Sequence, residues 1–99
     1  MIDQSTITQI IKWGNSQTYR PGHAITDYDN KFFGKEFTDT LRDQLRFLAR
    51  NRELGLTGSW REGYALHYPD GSVIGVGTCR KGKNGFAVFY IPSKKVTNV

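Results

Sequence analysis

Ninety-nine residues, 37% of them hydrophobic and 13 of them aromatic, make one small domain (1–99) that can bury a modest core, which excludes a chain disordered by composition. The apolar runs are far too short for a membrane-spanning helix, "MIDQSTITQ" is too polar for a secretory signal, and the single cysteine, Cys79, excludes an internal disulfide. A reducing, cytoplasmic setting is therefore expected, with no membrane partner.

The net charge of +5 is uneven. Residues 1–59 hold eight Lys/Arg against seven Asp/Glu, and residues 60–99 hold six against two. A surface of this kind attracts a polyanion or an acidic protein face.

In chain order, residues 1–34 read as a strand- and loop-rich segment of uncertain structure. In "STITQIIKW", Ile7, Ile11 and Trp13 alternate with polar neighbours and β-branched residues are frequent, so the pattern predicts a strand. "GNS" and "RPGH" read as turns, and "ITDYDNKFFG" has no clear period.

A helix follows over about 37–54. Phe37, Leu41, Leu45 and Leu48 fall on one helical stripe. Thr38 or Thr40 is a candidate N-cap, Asp39 and Asp43 suit the positive end of the dipole, and Gly55 suits the residue after the last turn, with Leu56 closing that cap.

The remainder, about 60–92, reads as an antiparallel meander with strands near 62–68, 72–79 and 86–91. Tyr68-Pro69-Asp70-Gly71 has the residues of a β-turn, its prolyl bond expected trans, and Lys83-Asn84-Gly85 supplies a second turn. The fold class is therefore α+β: one central amphipathic helix packed on a small antiparallel sheet.

"GTCRKGKN" follows the phosphate-loop pattern G-x-x-x-x-G-K-[ST] through Lys83, but Asn84 stands where a hydroxyl would ligate magnesium, and a strand follows where a helix must open. "NGFAVFYI" is reminiscent of the aromatic strand of RNA-recognition domains at Gly85, Phe86 and Ala87, but its later aromatics are out of register. The alternation from Phe86 to Ile91 is what a half-buried strand needs in any case. What remains is a hairpin tip carrying Arg80, Lys81 and Lys83, with Lys94 and Lys95 in the tail.

On the helix, Arg42, Arg46 and Arg50 repeat every four residues and repel one another unless neutralised. Asp39 can reach Arg42, and Asp43 can reach Arg46. "KWGNSQTYR", Lys12 to Arg20, resembles the opening hairpin of the AbrB/MazE family of swapped-hairpin DNA-binding dimers through Lys12, Trp13, Gly14, Asn15, Ser16 and Arg20. That resemblance covers nine residues and implies a β-arm in an intertwined dimer on DNA. Pro21-Gly22 departs from the family's pattern.

His23 and His67 have no metal-ligand spacing, and no nucleophile–base arrangement or carboxylate pair is evident, so neither catalysis nor a cofactor is expected. Two functions fit. The first is a small basic accessory protein of the kind found in phages and mobile elements, which binds a host protein of DNA or RNA metabolism. Its candidate contacts are Trp60, Arg61 and Phe32-Phe33, because aromatics and arginine dominate interfaces. The second is direct nucleic-acid binding through Arg80, Lys81, Lys83, Lys94, Lys95 and the Arg42/Arg46/Arg50 row, with Trp60, Tyr64 or Tyr90 stacking on bases. The oligomeric state is left open.

Overall fold

A computed structural model describes residues 3–18, 23–51, 63–78 and 85–93. The order is helix α1 (Gln4–Asn15), strand β1 (Ile25–Thr26), a 3₁₀ turn (Tyr28–Asn30), helix α2 (Lys35–Asn51), and strands β2 (Tyr64–His67), β3 (Val73–Thr78) and β4 (Phe86–Ile91). The strands form one antiparallel sheet in the order β1-β4-β3-β2, so the fold is α+β as its class was expected to be. No helix among the described residues is long and apolar enough to cross a membrane.

The first correction concerns residues 4–15, which are helical rather than extended. Ile10 decides the period. An alternating strand would place it opposite Ile7 and Ile11, yet it is fully buried together with Ile7, Trp13 and Gly14. That set recurs every three to four residues, and burying it on the sheet outweighs the β-leaning of isoleucine and threonine. Lys12 to Asn15 are therefore the last turn of α1, and Ser16 is its C-cap, with Oγ donating to the Trp13 carbonyl at 2.7 Å. The β-arm that the AbrB/MazE resemblance implies is not formed there.

Helix α2 begins at Lys35, two residues before the expected start, and residues 52–56, with the expected C-terminal cap, lie outside the described residues. Neither threonine is the N-cap. Gly34, at φ +89°, turns the chain into the helix. Thr38 is buried inside the first turns, and Thr40 is exposed. The stripe is as expected: Leu41, Leu45 and Leu48 are buried and Phe37 is half-buried.

Both helices pack on one face of the sheet, α2 across β2–β4 and α1 on β4. Ile7, Ile10, Trp13, Leu41 and Leu45 meet Leu66, Ile74, Val76, Val88 and Tyr90 there. Leu45 is fully buried, a position where truncation to alanine costs about 2–5 kcal/mol. Gly14 lets α1 approach closely, because a Cβ at that position would enter the Tyr90 ring.

Strand β4 is central and buried on both faces, not half-buried. Its second face is built from small residues, Ala65, Gly75 and Ala87, with Phe89 lying against Gly75. The turn between β2 and β3 is as expected: the Gly71 N–H donates to the Tyr68 carbonyl at 2.9 Å, and Gly71 has φ +92°. Asp70 Oδ1 accepts from both the N–H and the hydroxyl of Ser72 (2.8 and 2.7 Å). No peptide bond here is cis.

Candidate functional site

The segment without a clear period, 25–34, is held by both backbone and side-chain hydrogen bonds. Strand β1 pairs with β4, and the Asp27 N–H continues the ladder by donating to the Val88 carbonyl at 2.9 Å. The chain then leaves the sheet through Asp29 and Asn30, both at positive φ (60° and 55°), a region that asparagine and aspartate tolerate better than other non-glycine residues.

Three buried polar side chains hold this turn. The Asp27 carboxylate accepts the Phe32 N–H at Oδ1 (2.9 Å) and the Phe33 N–H at Oδ2 (3.0 Å). The Asn30 amide donates to the Phe86 carbonyl at 3.3 Å and accepts the Thr38 hydroxyl at 2.5 Å. The Thr38 hydroxyl also lies 3.0 Å from the Gly34 carbonyl. Sheet, turn and α2 are thereby tied together through hydrogen bonds sheltered from water.

The turn presents an aromatic cluster. Phe33 meets Trp13 edge-on at 5.2 Å and stacks on Phe37 at 4.6 Å. Phe32 contacts Phe33 at 4.9 Å and Trp13 at 6.1 Å, yet is 63% exposed. On the Phe33 side of this cluster, a groove of about 600 Å³ runs between the N-terminal ends of α1 and α2, lined by Phe33, Phe37 and Leu41 together with Asp3 and Glu36.

Of the cationic residues expected to bind, Arg42 and Arg46 lie on α2. Arg50 is in the same helix, with its side chain outside the described set. Trp60, Arg61, Arg80, Lys81, Lys83, Lys94 and Lys95, together with Cys79, also lie outside the described residues. The expected pairs Asp39–Arg42 and Asp43–Arg46 are not formed. Asp39 binds Lys35 at 2.7 Å, and Arg42 lies 3.8 Å from Asp43. The Arg42 guanidinium instead stacks over Phe86, 4.2 Å from the ring centroid. Its Nε is buried and has no hydrogen-bond partner among the described residues.

Tyr90 is not a stacking platform for bases: it is buried under α1. Tyr64 is half-buried. No group of three or more His, Cys, Asp or Glu among the described residues is arranged to hold a metal ion.

The Asp27–Asn30–Thr38 network was missed by sequence reasoning, although Phe32-Phe33 was singled out. The available signal was turn-forming Asp and Asn next to an aromatic pair with no periodic place in a core. No family model matches the chain, and neither a curated protein nor a solved structure is significantly similar to it.

Proposed function

We propose that this chain is a non-enzymatic accessory module that binds a host protein of nucleic-acid metabolism, with the turn bearing Phe32 as its anchor. What supports the reading is Phe32 itself: a large aromatic, 63% exposed, on a backbone fixed by the buried carboxylate of Asp27. Single exposed apolar residues are common on protein surfaces. A backbone locked by two carboxylate hydrogen bonds and two positive-φ residues is not, and such a backbone presents an aromatic anchor with little further entropy to lose on binding. The class of partner rests on a resemblance in size and basic composition to the accessory proteins of phages and mobile elements, with no motif behind it.

The test is affinity capture with the wild type and a Phe32→Ala variant whose thermal midpoint matches it. A specific protein retained by the first and lost by the second supports the proposal. Identical capture profiles sink it.

A second reading, direct nucleic-acid binding, draws on the Arg42–Phe86 stack. Phe86 follows Lys83 by three residues in the chain, so Arg42 lies against the strand that comes after the Arg80–Lys83 segment in sequence. Salt-titrated binding of labelled DNA and RNA to the wild type and to Arg42→Ala/Arg46→Ala decides it. Phosphate contacts weaken steeply with salt, and no binding at about 50 mM salt excludes them.

A further inference from the structure

Resting on the docking role of this surface, we infer that the groove walled by Phe33 and Phe37 receives an arginine-bearing segment of the protein partner. Its wall is the stacked pair Phe33 and Phe37, both half-buried, with Leu41 buried behind them. Three charged residues line it: Asp3, Lys35 and Glu36. Lys35 is neutralised by Asp39 at 2.7 Å, whereas neither Asp3 nor Glu36 forms an ion pair among the described residues.

Asp3 is also the N-cap residue of α1, where an aspartate ordinarily accepts a backbone N–H, yet its side chain makes no capping bond. The helix dipoles favour acids at these two positions. They do not require both acids to share a groove with the half-buried edges of two phenylalanine rings. In a chain of net charge +5, this is a locally acidic, aromatic-walled site.

Guanidinium fits that combination better than ammonium. It is planar, stacks on ring faces and binds carboxylates through two parallel N–H bonds. The same chain already makes this contact internally, with Arg42 over Phe86 at 4.2 Å. The positive charge of the chain as a whole disfavours a cationic segment on most of its surface and favours this locally acidic groove.

The test is an NMR titration of the full ¹⁵N-labelled chain with the blocked peptide Gly-Arg-Leu-Arg-Gly and its lysine and glutamate counterparts. The expected result is saturable shifts at Thr6, Gly34, Glu36 and Phe37, with the lysine peptide weaker and the glutamate peptide absent from these sites. Asp3→Asn/Glu36→Gln, which neutralises both carboxylates while keeping their size, should weaken the arginine peptide about fivefold or more, as loss of charge-assisted hydrogen bonds does. Phe37→Leu, which keeps an apolar wall without the ring, should weaken arginine more than lysine.

Shifts that never saturate, that fall elsewhere, or that survive Asp3→Asn/Glu36→Gln unchanged overturn the inference. If the peptide fails while Phe32→Ala still abolishes capture of a partner, the groove chemistry is wrong and the docking role stands. If Phe32→Ala also leaves capture intact, both fall.

Discussion

The carboxylate of Asp27 holds the backbone of Phe32 by a 2.9 Å hydrogen bond, so a buried acid at the end of β1 determines where an exposed aromatic ring points. Asp27→Asn keeps the shape but can accept at only one of the two oxygen positions that now serve Phe32 and Phe33. A loss of about 1–3 kcal/mol is expected in urea unfolding, the cost of leaving a sheltered N–H unpaired beside a displaced amide. Amide exchange at Phe32 and Phe33 should speed up more than exchange in β3. An unchanged midpoint would show that the turn holds itself without the carboxylate.

The two threonines once equivalent as caps should now separate. Thr38 is 1% exposed and donates to Asn30, whereas Thr40 is exposed. Thr38→Val conserves the volume and strands the Asn30 oxygen, for an expected loss of about 1–3 kcal/mol. Thr40→Ala should lie within about 0.5 kcal/mol of the wild type, as surface changes do. Thermal unfolding of the two variants side by side checks this, and comparable losses would contradict the buried network.

Gly14→Ala offers a test by sign. In an open helix, glycine to alanine stabilises by about 1 kcal/mol. Here the added methyl would enter the Tyr90 ring, which is itself buried, so overpacking of about 1–3 kcal/mol should prevail and the variant should unfold earlier. A stabilised variant would mean that α1 does not pack against Tyr90 as closely as described.

Burial raises the Tyr68 hydroxyl above its ordinary pKa of about 10. With the folded value raised, the unfolded chain loses this proton first. The contribution to stability is complete below about pH 10 and fades as the pH climbs from there through the folded value. Tyr68→Phe should flatten that alkaline decline in unfolding midpoints between pH 9 and 11, while the wild type keeps it.

The α2 stripe and the meander were legible because their signals are local. Phe37, Leu41, Leu45 and Leu48 share one helical face, and Pro69, Asp70 and Gly71 specify their turn by backbone preference alone. Phe32-Phe33 stood out by residue type alone, since aromatics dominate interfaces, and the fold separates the two, leaving Phe32 63% exposed and Phe33 half-buried. The rest was decided by contacts across long stretches of chain. Residues 4–15 satisfy a strand pattern and a helix pattern equally well until a sheet 75 residues later offers Tyr90 and Val88 to cover. Asp27, Asn30 and Thr38 look like solvent-facing polar residues until β4 arrives, where the Val88 carbonyl accepts the Asp27 N–H, the Phe86 carbonyl accepts the Asn30 amide, and Asn30 in turn accepts the Thr38 hydroxyl. Arg42 reads as one of a repelling row until the Phe86 ring arrives beneath it. Short-range propensity amounts to tenths of a kcal/mol per residue, whereas one buried side chain is worth about 1.5–3 kcal/mol. Where the two disagree, the residue follows the partner that folding brings to it.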